Sequence, residues 1–273
     1  MKTQNSKLKT QIDKSKTKIS VVVIAKNEEK RIGECLDSVK WADEIIVVDD
    51  SSIDKTEDIA IKHGARVVNL QKGSFSDRRN LGAKGASGVW LLYIDADELV
   101  TPALRKELKS KIQNPKSKFN AYAIPRRNIL LGHEMKHGGW WPDYVLRLIR
   151  YESLNGWKGD LHEQPEIEGN VGKLNKPLIH NSHRSLTEMV EKTNDWSEIE
   201  AKLMFEANHP QMNLSRFATA MFREFWYRAI IKKGFLDGPI GIIEIIYQVF
   251  SRFVSYAKLW EMQLESEKLK VKS

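Results

Sequence analysis

A doubly wound α/β fold with a parallel sheet is what the first hundred residues of this chain predict. Three observations carry that expectation: four short apolar runs, a helical pattern after each of the first three, and polar residues gathered where the runs end. Ile19 to Ala25 is continuously apolar, as expected of a strand covered on both faces. Glu28 to Val39 follows with helical periodicity. Glu44 to Val48 reads as the second strand, and Asp54 to His63 as a helix closed by Gly64. Arg66 to Leu70 is the third strand, Asp77 to Ala86 the third helix and Val89 to Ile94 the fourth strand. The next helix begins near Pro102. Repetition of this kind builds parallel sheets, which take ligands at the carboxyl ends of their strands.

The polar residues fall at those ends. Strand one runs into Ala25-Lys26-Asn27-Glu28, strand two into Asp49-Asp50-Ser51-Ser52, and strand four into Asp95-Ala96-Asp97-Glu98. A carboxylate after strand two suits a base N–H or a ribose hydroxyl; capping of the next helix falls to Ser51, Ser52 or Asp54. Asp95 and Asp97, one residue apart, suit Mg²⁺ or Mn²⁺ shared with a diphosphate. The plainer reading is an acidic turn in which Asp97 caps the helix at Pro102. No G-x-G-x-x-G follows strand one and no phosphate-binding P-loop is present, which argues against dinucleotides and ATP.

The whole chain sets further bounds. With 273 residues, 41% hydrophobic and 29% charged, it is long enough for a large domain plus an appendage. Its single cysteine excludes an internal disulfide, and Cys35 shares an apolar helix face with Ile32, Leu36 and Val39, the place of a core residue. Met1 to Lys18 is polar and lysine-rich, and reads as a disordered basic tail. A net charge of +8 favours a polyanionic partner. With no zinc knuckle or aromatic-glycine RNA signature, the expected partner is an anionic membrane surface and no nucleic acid.

Four ordered blocks, Ile19–Glu29, Glu44–Thr56, Arg78-Arg79-Asn80-Leu81-Gly82 and Ile94–Glu98, resemble the signature of the family 2 glycosyltransferases. The resemblance implies a GT-A (Rossmann-like) nucleotide-diphospho-sugar transferase fold with a C-terminal amphipathic helical extension. It implies that Ala25, Asn27, Glu28, Asp49 and Asp95 hold the donor, and that Asp97 holds the metal. Arg79 and Asn80 would lie near the diphosphate or sugar. A nucleotidyltransferase, the nearest rival, would carry a glycine-rich basic loop where this chain has Lys26-Asn27-Glu28-Glu29. A non-catalytic scaffold of the same fold is the other rival.

Transfer from a nucleotide sugar also needs a carboxylate to deprotonate the acceptor hydroxyl. Two candidates lie beyond Asp97. Asp143 follows His137-Gly138-Gly139-Trp140-Trp141-Pro142, a loop suited to a stacking wall for a sugar; Glu163 follows His162, an imidazole that suits the metal shell. Arg147, in the alternating Val145-Leu146-Arg147-Leu148, suits a phosphate. His133 and His137 read as loop residues, and His180 and His183 are left open. The W-W-P-D-Y-x-L-R-L stretch and the His162-Glu163 pair are similar to the lipopolysaccharide-core β-glucosyltransferase branch of the family. That likeness implies UDP-glucose as donor and a lipid-linked or lipopolysaccharide acceptor. The commoner family pattern has a Glu-Asp pair at the base position, so both Asp143 and Glu163 stay in play.

Three helical segments close the chain: Leu186 to Asn208, Leu214 to Lys233 and Ile240 to Leu264. The second interleaves Phe217, Phe222, Phe225 and Trp226 with Arg216, Arg223, Lys232 and Lys233. Neither the second nor the third contains 18 uncharged apolar residues, so neither is expected to cross a bilayer. Basic, aromatic amphipathic helices suit the plane of an anionic membrane; packing on the catalytic core or a dimer interface would also use them. The expected division is a tail at 1–18, a catalytic domain at 19–184 and a helical extension at 185–273. Within the catalytic domain, 19–100 binds the nucleotide sugar and 101–184 the acceptor. The expected location is the inner face of the cell membrane, as a peripheral cytoplasmic protein.

Overall fold

The computed structural model describes residues 19–114, 117–159 and 163–272. The first half alternates β1 (Ile19–Ala25), α1 (Ile32–Val39), β2 (Glu44–Asp49), α2 (Thr56–Lys62), β3 (Arg66–Asn69), α3 (Phe75–Gly85) and β4 (Trp90–Asp95). Then come β5 (Glu98–Val100), α4 (Pro102–Ile112), β6 (Phe119–Leu130), β7 (His133–Glu134), β8 (Asp143–Arg150), β9 (Leu154–Lys158), β10 (Gln164–Ile167), β11 (Asn170–Lys173) and β12 (Leu178–His183). Three helices follow: α5 (Leu186–Glu206), α6 (Leu214–Trp226) and α7 (Gly238–Lys272). The described chain divides into two compact units. One runs to Arg126 and adds Tyr144–His180; the other joins Arg127–Asp143 to the chain from Asn181 onward.

The main sheet has the order β3-β2-β1-β4-β8-β6-β12-β5. Its first four strands are parallel, with Ala25 level with Asp49 and Ile24 level with Asp95. The expectation of a wholly parallel sheet is corrected beyond that point. β8 runs antiparallel to β4, pairing Trp90 with Arg150, and β12 runs antiparallel to β5. The sheet is therefore mixed.

Every residue of β1 is buried, as its unbroken apolar run requires. One face is covered by Ile32, Cys35, Leu36 and Val39 of α1 with Leu104 and Leu108 of α4. The other is covered by Ala83 of α3 and Trp157 of β9, packed near Val22, Val48 and Tyr93. Helix α4 is capped by Thr101, whose side chain accepts from the Leu104 amide, with Pro102 at its first position. Asp97 is thus released from capping. Helix α1 starts at Ile32, four residues later than its periodicity suggests, because Asn27 turns the chain through φ +54°.

Gly82 sets the distance between α3 and the sheet. A Cβ added there would lie 2.3 Å from Val22 Cγ1 and 3.2 Å from Val48 Cγ2. The helix that carries Arg78, Arg79 and Asn80 rests on the strands only because that position has no side chain.

In the second unit, α7 packs on α5 and α6 around Ala201, Met212 and Leu259, and Leu130, Met135 and Met189 form a further cluster. Helix α6 passes at Tyr227–Ile231 into a π-helical turn, a form found mostly as short insertions at functional sites. Among the described residues, the segment Gly234–Leu269 is long and apolar enough to cross a membrane by length and composition, with 28% of its most apolar stretch buried within the protein. Helix α7 exceeds the span its periodicity marked, continuing through Lys272. On its packed side α7 buries Ser255, Leu259 and Gln263.

Glu244 lies on the buried side of α7, accepting from Gln248 Nε2 at 2.6 Å. Burial pushes its carboxyl up to about 7, against the opposing influence of the Gln248 bond and the Arg228 charge. An unfolded chain releases this proton near 4.5, so the folded state holds more protons between the two values and loses stability as pH rises through that window. Glu244→Gln is expected to flatten this loss and stabilise the protein at pH 8 by about 1–3 kcal/mol. Melting temperatures from pH 4 to 8 check it; an unaltered profile would contradict it. Gly82→Ala is expected to cost about 1–3 kcal/mol by overpacking α3 against β1, read as a lower denaturant midpoint.

Candidate active site

The loops after β1 and β2 are stitched together by side chains. Asn27 N donates to Ser52 Oγ at 2.9 Å, and Asn27 Oδ1 accepts from Ile53 N at 2.9 Å. Glu28 N donates to Thr56 Oγ1 at 2.7 Å, and Asp54 accepts from the amides of Glu29 and Thr56. Asp54 therefore serves the start of α2 and leaves Asp49 for other work. Ala25 is buried beside it on β1. Asp49 is only 2% exposed; its Oδ2 accepts from Ser52 N at 2.8 Å, while Oδ1 is buried without a hydrogen-bond partner. Leaving such an acceptor unpaired costs about 1–3 kcal/mol. A ligand N–H or hydroxyl would satisfy it.

At the end of β4, Asp95 is held between two arginines. Arg79 Nη2 reaches Oδ1 at 3.0 Å, and Arg147 Nη2 donates to Oδ2. Burial alone would raise the Asp95 carboxyl, but the Arg147 and Arg79 charges outweigh it and hold the group well below the usual carboxylate range. The Arg147 guanidinium is driven above its ordinary value: burial lowers it, and Asp95 and Glu98 more than compensate. Arg79 Nε also pairs with Glu163 Oε1 at 2.8 Å, and its guanidinium lies over the Trp157 ring at 4.8 Å. Arg79 Nη1 and Arg147 Nε are buried N–H groups with no hydrogen-bond partner. Two spare guanidinium donors beside one strand end suit an anion such as a diphosphate. Asn80 anchors the wall, exchanging hydrogen bonds with the Trp157 backbone at 3.0 and 2.8 Å.

Asp97 points to a different set. Its Oδ2 lies 3.6 Å from His180 Nε2 and 3.9 Å from Arg31 Nη1; Arg31 also pairs with Glu28 at 3.4 Å. Among the described residues no group of three or more His, Cys, Asp or Glu forms a ready-made metal cage. A carboxylate with one imidazole suits a hard or borderline divalent cation whose remaining ligands come from substrate phosphates and water. His162 lies outside the described residues. Asp143 opens β8, the strand that carries Arg147, and its Oδ2 accepts from Asn128 Nδ2 at 3.1 Å.

Two contributors were not singled out from the sequence. Glu98 is fully buried, accepts from Asp95 N at 3.0 Å and Arg147 Nη2 at 3.1 Å, and lies 3.6 Å from Arg126. The only local sign of that work is its place three residues after Asp95. His180 reaches Asp97 because β12 pairs with β5, placing His180 opposite Glu98. No local pattern announces a pairing across 82 residues.

Residues 20–165 match the model of the family described as Glycosyl transferase family 2. This chain is a family 2 glycosyltransferase. Its fold is GT-A. An uncharacterized glycosyltransferase of Rickettsia typhi is 30% identical over 91% of this chain and 89% of its own. The lipopolysaccharide core biosynthesis glycosyltransferase LpsC of Rhizobium meliloti is 26% identical over 90% of this chain and 93% of its own. Among solved structures, S. aureus TarS 1–349 in complex with UDP-GlcNAc is 17% identical over 92% of each chain, with a TM-score of 0.47. That superposition is too loose to add to the assignment.

Arg147→Met is expected to destabilise the glycosyltransferase by roughly 3–5 kcal/mol, because it takes a buried cation from the fully buried Glu98 and one of two arginines from Asp95. Denaturant unfolding measures it, and a loss under 1 kcal/mol would mean that Arg79 and Arg126 suffice alone.

Proposed function

We propose that this glycosyltransferase moves a hexose, glucose from UDP-glucose, onto an envelope glycolipid such as the lipopolysaccharide inner core, with inversion at the transferred carbon. One observation carries the donor assignment. The strand ends leave a buried carboxylate oxygen of Asp49 without a donor and two buried guanidinium N–H groups without an acceptor. A nucleoside diphosphate supplies both complements, an N–H or hydroxyl to Asp49 and phosphate oxygens to Arg79 and Arg147. The glycolipid acceptor is supported by the name of the Rhizobium relative and by its coverage of nearly the whole chain.

In this reading Ala25, Asn27 and Glu28 shape the nucleotide wall beside Asp49. Asp95 keeps Arg79 and Arg147 oriented, and Asn80 fixes the wall through Trp157. Asp97 and His180 would hold a divalent cation, Mg²⁺ or Mn²⁺. When bound, the cation neutralises charge on the diphosphate. The bond from the sugar carbon to the diphosphate oxygen breaks, and its electron pair leaves with the nucleotide. The acceptor oxygen attacks the opposite face of that carbon, and a carboxylate takes the acceptor proton. Asp143, at the start of the strand that carries Arg147, is taken as the base, with Glu163, paired to Arg79 at 2.8 Å, as the alternative.

Calorimetric titration of UDP-glucose with and without Mn²⁺ tests the donor site. Binding is expected to weaken at least tenfold in Asp49→Ala, and to lose its metal dependence in Asp97→Ala. Failure of any nucleotide diphosphate to bind would turn the reading to a non-catalytic scaffold. For the transfer step, Asp143→Asn is expected to lower turnover at least 100-fold with donor affinity within about threefold. Unchanged turnover would move the base to Glu163.

A further inference from the structure

From α6 to the middle of α7 the chain exposes apolar side chains that its own core leaves uncovered. Phe222 is 64% exposed and stacks on Trp226, which is also exposed. The π-helical turn adds Ile230 and Ile231, and the 3₁₀ turn at Gly234–Asp237 adds Phe235 and Leu236. On α7, Ile243, Ile246, Phe250 and Phe253 recur every three or four residues, Trp260 follows two turns later, and all five are exposed. At 1.5 Å per residue that stripe is about 26 Å long.

The charges around this surface are sorted. Between Gln211 and Trp260 the only acids are Glu224, Asp237 and Glu244; the last two are buried and Glu224 is half-buried. Glu224 pairs with Arg228 at 2.7 Å; Asp237 accepts from the amides of Lys136 and His137 and pairs with the His137 ring; Glu244 is bonded to Gln248. The charged residues left exposed there, Arg216, Arg223, Lys232 and Lys233, are all cations. A second copy related by a two-fold axis would face this surface with the same cations, an unfavourable match. A bilayer-spanning α7 would have to shed the polar partners of its packed side, where Ser255 meets Glu200 and Lys258 meets Asn194. An apolar face rimmed by cations suits the plane of an anionic lipid interface.

The same segment holds the loop that leads to Asp143. Gly138 N donates to Lys232 O at 2.9 Å, Arg228 Nη1 donates to Gly138 O at 3.2 Å, and His137 is bound to Asp237. We propose that the surface from Phe222 to Leu236, extended along α7, docks in the plane of an anionic bilayer and brings the His137–Asp143 loop to the lipid surface. The benefit to catalysis rests on the glycolipid acceptor proposed above; the docking itself does not.

Flotation of the full-length chain with vesicles of 30% phosphatidylglycerol in phosphatidylcholine, against phosphatidylcholine alone, tests the proposal. The chain is expected to float with the anionic vesicles and to release when salt rises from 0.1 to 0.5 M. One basic residue near such a surface is worth about fivefold in binding. The combined Arg223→Glu, Lys232→Glu, Lys233→Glu variant should therefore lose about 100-fold or more. Phe235→Ser with Leu236→Ser should weaken binding at both salt concentrations. Melting temperature and UDP-glucose affinity, unchanged in these variants, show that they fold. Flotation with neither vesicle, or equal flotation of the triple variant, would overturn docking. A dimer that the triple variant dissociates would assign the face to a second copy, and resistance to alkaline carbonate would mean that α7 crosses the bilayer. Vesicle binding without UDP-glucose binding would keep this inference and sink the donor-site reading.

Discussion

Compensation of the carboxylates at the end of β4 is the constraint on which the catalytic unit depends. Glu98 is fully buried and Asp95 half-buried, and a carboxylate buried without a partner is too costly to keep charged. Arg79, Arg126 and Arg147 supply the opposite charge from three different elements. Each requires its element to be in place. Arg79 arrives only if α3 lies close to the sheet, which Gly82 permits. Arg147 arrives only if the chain turns back antiparallel to β4, which makes the sheet mixed. Topology and electrostatics are therefore one arrangement seen twice.

The parts of the fold that were legible in the sequence are those whose signal is local. Strands β1 to β4 and the helices between them follow from apolar runs and turn residues, and their observed bounds lie within a few positions of the expected ones. The exception is α1, where the Asn27 turn and its bonds to Ser52 and Ile53 delay the helix. Legibility falls wherever distant segments decide. The alternation around Arg147 marks a strand, but nothing local marks its antiparallel pairing with β4, nor that of β12 with β5, and so the partners of Arg147 and His180 were out of view. Asp95 and Asp97 were visible as a motif; Glu98, in the same tetrapeptide, looked like part of an acidic turn because its partners lie 28 and 49 residues away. The last helix was marked too short because residues 265–272 are mostly charged and lack the apolar spacing by which the rest of it was read.

The charge pattern around the D-x-D sets its two carboxylates apart. Asp95 lies between Arg79 and Arg147, and Arg79 and Arg147 reach on to Glu163 and Glu98. Asp97 belongs to another set, 3.9 Å from Arg31 and 3.6 Å from His180, with Arg31 also paired to Glu28. On the reading proposed above, a diphosphate arriving with a divalent cation would bring positive charge to Asp97, and one arriving alone would bring only negative charge. The spacing of one residue between the two carboxylates matters because, at the end of a strand, it sends them to different partners: Asp95 to two guanidinium groups, Asp97 to a guanidinium and an imidazole.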